Sequence, residues 1–208
     1  AGLPAATRAG YEVRLTADHK VLTANRGDVP ASELTADDVV VLGRPAFGRR
    51  ALDARLARFL GLMVGDGCLM GDDAAARVTL APEEAAVAEA VNADLATYRE
   101  EHAADGRGAR RTTVTSPQGT LLVGTGSRCV VDALRLFAVL DEGSANKRFT
   151  DEVYGLDRDA LAEILRGLFT ADGTVANYGD KSQYVALDST SETLLRQVQT
   201  LLLGFGIK

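Results

Sequence analysis

Phe59-Leu-Gly-Leu-Met-Val-Gly-Asp-Gly67 and Leu165-Arg-Gly-Leu-Phe-Thr-Ala-Asp-Gly173 decide the reading of this chain, because one pattern, Gly-x-x-x-x-Asp-Gly, closes two segments of helical period. In the first, Leu52, Leu56, Phe59, Leu60 and Met63 fall along one face until Gly65 and Gly67 stop the helix. In the second, the helix beginning near Asp157 runs through Leu161 to Phe169 and ends in Thr170-Ala-Asp-Gly173. A glycine inside a helix costs up to about 1 kcal/mol relative to alanine. Gly61 and Gly167 therefore make sense as points where two helices approach closely. An aspartate at a helix C-terminus opposes the partial negative charge already there, and two such ends side by side are worse. A divalent cation reverses that logic, since carboxylates and the free carbonyls of a last turn are hard oxygen ligands suited to Mg2+. Asp66 and Asp172 are thus the candidate metal ligands and catalytic carboxylates, for a chemistry in which the ion activates water and stabilises a leaving oxygen. Either segment alone reads more simply as a helix stop with a solvent-facing aspartate. Two matches, each followed by a similar succession of elements, weigh against that.

Between and around the motifs the elements alternate. Arg77 to Leu80 is strand-like, and Pro82-Glu-Glu84 opens a helix whose apolar face uses Val87, Val91, Leu95 and Tyr98. Arg111 to Thr115 and Thr120 to Gly124 form a hairpin across Ser116-Pro-Gln-Gly119. Ser127 can cap a helix carrying Val130, Val131, Leu134 and Phe137, and a loop from 141 to 150 leads on to the second motif helix. After it come a strand at Gln183 to Asp188 and a helix capped by Ser189, Thr190 or Ser191. Residues 11 to 43 alternate apolar and polar side chains, with turns at Gly27 and Pro30 and a buried run at Val39-Val-Val-Leu42, so this segment is β. The pattern changes near residues 43 to 50. The expected class is α+β, divided as 1–44, 45–155 and 156–208.

Composition bounds the function. A chain of 208 residues, 46% hydrophobic and 25% charged, has material for one or two cores. No apolar run approaches the roughly 20 residues that span a bilayer, and AGLPAATRAG lacks the form of a signal peptide, so a soluble, cytoplasmic monomer is expected. Cys68 and Cys129 have neither the spacing of a zinc site nor that of a disulfide framework. Acids outnumber bases 29 to 23, a net charge of −6, which runs against nucleic-acid binding. The bases do cluster, at Arg44, Arg49 and Arg50 and at Arg107, Arg110 and Arg111, in what are equally well solvated loops.

The two motif segments resemble the paired motifs of LAGLIDADG homing endonucleases, and the likeness covers residues 52 to 208. It implies αββαββα repeats whose motif helices pack at a pseudo-two-fold axis, two aspartates that bind Mg2+, and curved sheets lying in the major groove of double-stranded DNA. By that pattern the second repeat stops short of its last two strands and closing helix. Asn146-Lys-Arg-Phe149 resembles the intein-endonuclease segment that sets a basic residue beside the metal, which makes Lys147 a candidate to position the attacking water; a solvated loop lysine is the alternative. Arg77, Arg111, Thr113, Lys181 and Gln183 lie on or beside the presumed strands as candidate DNA contacts, most of them to phosphate.

Leu15-Thr-Ala-Asp-His-Lys-Val-Leu-Thr23 resembles the Thr-x-x-His block of intein splicing (Hint) domains. The resemblance implies that Thr16 and His19 hydrogen-bond and protonate a scissile peptide, a task suited to imidazole, whose pKa lies near neutrality. The expected whole is a partial splicing segment followed by an endonuclease, inserted in a host protein whose flanking exteins are its partners. The local wording is similar to that of inteins in ribonucleotide reductases. Ala1 and Lys208 are not the reactive ends splicing requires, so splicing is not expected of these residues alone. Two other readings stay open: a decayed nuclease kept as a splicing scaffold, and a non-catalytic DNA-binding protein of the same fold.

Overall fold

The computed structural model describes residues 2–70, 75–102, 113–115, 119–180 and 182–208. They form two compact units, Ala1–Ala46 with Gln199–Lys208, and Phe47–Val198. No helix among the described residues is long and apolar enough to cross a membrane.

The first unit contains two antiparallel hairpins, β1 (Leu3–Ala6) with β2 (Glu12–Leu15) and β3 (Lys20–Thr23) with β4 (Gly27–Pro30). Thr23 and Val29 are buried. The apolar run at 39–42, read from sequence as buried, is not: Val39 is 58% and Val41 47% exposed. It is held to β3 by one bridge, Thr23 to Val40, and a bond from Val41 N to Leu22 O. An apolar run reports burial only where a second layer covers it, and a pair of short hairpins offers little cover.

The second unit is built in the order α1 (Ala54–Asp66), β5 (Gly67–Met70), β6 (Ala75–Leu80), α2 (Ala85–His102), β7 (Thr113–Thr115), β8 (Leu121–Thr125), α3 (Arg128–Phe137). Two-residue strands β9 (Ala138–Val139) and β10 (Arg148–Phe149) pair next, the second of them within the stretch 141–150 that sequence reads as a loop. Then come α4 (Arg158–Asp172), β11 (Gly173–Asn177), β12 (Gln183–Leu187) and α5 (Glu192–Gly204), whose last residues group with the first unit. Strands β5, β6, β8 and β7 form one antiparallel sheet in that order, and β11 with β12 a second. On the four-stranded sheet Ala76, Val78, Leu80, Val123 and Thr125 are buried on one face, and Cys68 and Thr79 are exposed on the other.

Local chemistry explains the helix limits. Asp53 and Asp157 cap α1 and α4 by accepting from Arg55 N and Ala160 N, each at 2.9 Å. Leu52 therefore lies ahead of the helix. Gly65 does not stop α1, which runs on to Asp66; the extended backbone at Gly67 ends it, as that at Gly173 ends α4. Ser127 occupies the N-cap of α3, but its hydroxyl faces Cys129 Sγ at 3.1 Å and caps nothing.

The core of the unit is the crossing of α1 and α4. A Cβ built on Gly61 would lie 2.0 Å from Ile164 O, and one on Gly167 would lie 2.0 Å from Arg58 O. The two backbones touch there, flanked by buried Leu60, Leu62, Ile164 and Leu168. Arg58 Nε donates across the same junction to Glu163 at 2.9 Å. Neither carbonyl can retreat without moving a helix, so Gly61→Ala and Gly167→Ala are expected to destabilise the fold by about 3 kcal/mol, the upper end for overpacking. Urea unfolding measures this, with Gly43→Ala, where nothing lies within 4 Å of the new methyl, as the neutral control.

Candidate functional site

Each motif helix ends in an aspartate five residues beyond its contact glycine, so the crossing delivers Asp66 and Asp172 to one place. Gly65 assists: a Cβ on it would lie 2.5 Å from Ala171 Cβ and 3.2 Å from Asp172 Oδ2. Asp172 is partly buried and Asp66 more exposed, and the two carboxyls are hydrogen-bonded to one another. Burial, then the negative charge of Asp66, pushes Asp172 up to about 6. Burial likewise raises Asp66, against the pull of Lys147. Two carboxylates this close cannot both ionise freely, so the pair retains a proton that isolated aspartates would have lost. Glu84 adds negative charge near Asp66, and Asp188 near Asp172.

Lys147 reaches the pair from the turn ahead of β10. It is buried, and its ammonium donates to Gly65 O in the last turn of α1. Burial lowers its pKa, while Asp172 and Asp66 oppose that shift. These groups line a cleft of about 460 Å³ that also takes in Asp188 and the hydroxyl residues Ser144, Ser189 and Thr190.

The donor set can be tested against Mg2+. Among the described residues no cluster of three or more His, Cys, Asp or Glu side chains could hold a metal. Mg2+ does not require one, since it is commonly held by one or two carboxylates, with water and substrate phosphate filling the other positions. Two closely placed carboxylates in a negatively charged cleft, beside helix-end carbonyls, have the hard oxygens and the mutual repulsion that such an ion would answer. The residues present fit.

The remaining sequence candidates are dispersed. Arg77 lies on β6 opposite Cys68, on the less buried face of the first sheet, with Nε 2.8 Å from Met70 Sδ. Gln183 opens β12 and is exposed; by register it shares a face with Val185, and that face corresponds to the buried one of the first sheet. Thr113 opens β7 and pairs with Val123. Arg111 and Lys181 lie outside the described residues. Thr16 and His19 stand in the turn between β2 and β3, both exposed, with His19 N bonded to Thr16 O at 3.1 Å and the Thr16 hydroxyl paired with the Asp18 carboxylate. Of the basic residues counted from sequence, Arg50 pairs with Glu152 and stacks on Phe137.

Two residues that sequence did not single out as functional bear on the site. Ser191 accepts from Leu194 N at 3.2 Å, capping α5, and donates to Lys147 O at 2.6 Å. Gln197 brackets Phe149, accepting from its N at 2.8 Å and donating to its O at 2.9 Å. The capping signal at 189–191 was legible, but neither long-range bond had a local signature.

Residues 159–208 match a family model described as a LAGLIDADG-like domain. Over 97% of its length the chain is 25% identical to the ribonucleoside-diphosphate reductase NrdEB subunit alpha of Bacillus subtilis (strain 168), and equally to that of Bacillus phage SPbeta. It spans 19% of each of those relatives. A stretch of 64 residues, 31% of the chain and 6% of the relative, is 33% identical to glutamine--fructose-6-phosphate aminotransferase [isomerizing] of Methanocaldococcus jannaschii.

The raised carboxyl makes a prediction about stability. Asp172 holds its proton more tightly folded than unfolded, so its contribution is fully present below pH 3.8, the ordinary aspartate value, and is lost as pH rises through about 6. The metal-free chain should therefore melt at a lower temperature at pH 7.5 than at pH 5. In Asp172→Asn that decline should be reduced, with a higher melting temperature than the unsubstituted protein at pH 7.5; a calorimetric pH series reads both.

Proposed function

We propose that this chain belongs to an intein-borne, site-specific homing endonuclease that hydrolyses phosphodiesters of double-stranded DNA with Mg2+ and makes a double-strand break. One observation carries the reading: two carboxylates meet at the ends of crossing helices with a buried lysine beside them. The family match over 159–208 covers the helix of the second aspartate and supports the same conclusion. Asp66 and Asp172 would hold the ion, which when bound supplies positive charge to the scissile phosphate and acidifies water. Lys147 would orient the attacking water, its ammonium already fixed at Gly65 O, in a cleft where burial strengthens each charge interaction.

The relatives support an inserted element. Two enzymes of unlike name, a reductase subunit and an aminotransferase, each share with this chain a minor part of their own length. A segment that recurs in unrelated hosts is expected of a mobile coding element, with the host's flanking parts as exteins and a ribonucleotide reductase as the host here. Residues 1–44 would then be part of a splicing domain, with Thr16 and His19 placed to polarise a scissile peptide.

The net charge of −6 favours a second reading, in which the fold persists but cutting has been lost. One assay separates the two. The nuclease reading expects a plasmid carrying the uninterrupted ribonucleotide reductase gene to be linearised with Mg2+ and left intact with a chelator. Asp66→Asn should lower cleavage by about 10²-fold or more, as for loss of a group stabilising transition-state charge. DNA binding should persist and weaken steeply with salt. The absence of both cutting and salt-sensitive binding to that gene would leave the decayed form, and salt-sensitive binding without cutting would leave a non-catalytic DNA-binding protein of the same fold.

A further inference from the structure

We propose that Ser191 and Gln197 are positioning residues, which lock the segment 147–149 onto α5 and so hold the Lys147 side chain at the carboxylate pair. The inference rests on the nuclease reading for its catalytic consequence, and on geometry for the rest. Lysine has a long, flexible stem, and fixing it costs conformational entropy unless the backbone that carries it is already fixed. The local strand cannot do this alone, because β10 and its partner β9 have two residues each. Helix α5 makes up the difference. Gln197 acts toward Phe149 as an antiparallel strand partner would, exchanging one bond with its N–H and one with its carbonyl.

Ser191 uses both functions of its hydroxyl. Capping α5 requires only an acceptor, and Asp or Asn would serve as well. The hydroxyl proton goes instead to Lys147 O, in a position with no solvent access, where water cannot replace it. Because Ser191 joins the start of α5 to the residue that reaches Gly65 O, any shift of α5 moves the ammonium relative to Asp66 and Asp172. In a near-attack arrangement, a displacement of about 1 Å costs on the order of 10²-fold in rate.

The test uses the full chain and the plasmid substrate. Ser191→Gly removes the donor but remains an acceptable helix N-cap, and Gln197→Met keeps length without hydrogen bonds. Each should lower kcat by about 10-fold or more, with the KM for DNA changed less than twofold, on the displacement argument above; Ser191→Thr should restore the rate. In a Lys147→Met background Ser191→Gly should cost nothing further, since its effect passes through the lysine. Full additivity there, or an unchanged kcat in both single variants, overturns the proposal. Side-chain NMR of the metal-free protein gives a reading independent of cleavage: a slowly exchanging Lys147 NζH3 resonance is expected in the unsubstituted chain and should be lost in Ser191→Gly. A protein that cuts no DNA would defeat the nuclease reading alone. The positioning claim would then stand or fall on whether that resonance survives the substitution.

Discussion

The contact of backbone with backbone at Gly61 and Gly167 is the constraint from which the rest of the second unit follows. Two helices can pack this closely only where neither carries a Cβ, and each glycine here faces a carbonyl oxygen of the other helix. With the crossing fixed, the ends of both helices are fixed as well. The same five-residue spacing from glycine to aspartate in α1 and α4 then sets Asp66 beside Asp172, and Gly65 removes the methyl that would strike Ala171. The electrostatic strain of the site is a consequence of its packing.

That strain is relieved only in part by what the protein supplies. Below about pH 6 a shared proton quenches one negative charge; above it Lys147 offsets part of the pair's charge, and Glu84 and Asp188 add to the negative side. The lysine is itself compromised, because burial disfavours its charged form even as the aspartates favour it. A DNA phosphate entering such a cleft would meet more negative than positive charge. The proposed Mg2+ therefore has a physical rationale apart from the sequence motif: Asp66 and Asp172 would hold it, and its charge would offset their repulsion and make the cleft receptive to an anion.

What was legible in the sequence was what is local. The two motif helices, the helix start near Asp157 and the pairing of β7 with β8 are encoded within a few residues and could be read from periodicity or turn residues, whereas periodicity alone carries the first helix back to Leu52, past its cap at Asp53. The meeting of Asp66 with Asp172 was legible only because the motif occurs twice. The bonds from Ser191 to Lys147 and from Gln197 to Phe149 join residues 44 and 48 positions apart and leave no trace in any window of sequence. Burial was misread at 39–42 for a related reason: an apolar run shows which side chains would favour a core, and the presence of a covering layer is a tertiary fact.

The two sheets make that last point within one chain. Gly67 and Gly173 begin equivalent strands, so the register places Val175 and Val185 where the first sheet has Leu69 and Ala76. Ala76 is 1% exposed, whereas Val175 is 78% and Val185 64% exposed. The difference is not in the side chains, which are as apolar in the second sheet as in the first. In the first sheet α1 packs on β6 and β5 and α2 on β8 and β7, whereas in the second α4 packs chiefly on β11 and α5 makes at most sparse contact with either strand. Among the described residues fewer helix contacts fall on the second sheet, so equivalent residues are core in one repeat and surface in the other. The cover laid over a sheet, more than residue type, decides which of these apolar faces becomes interior.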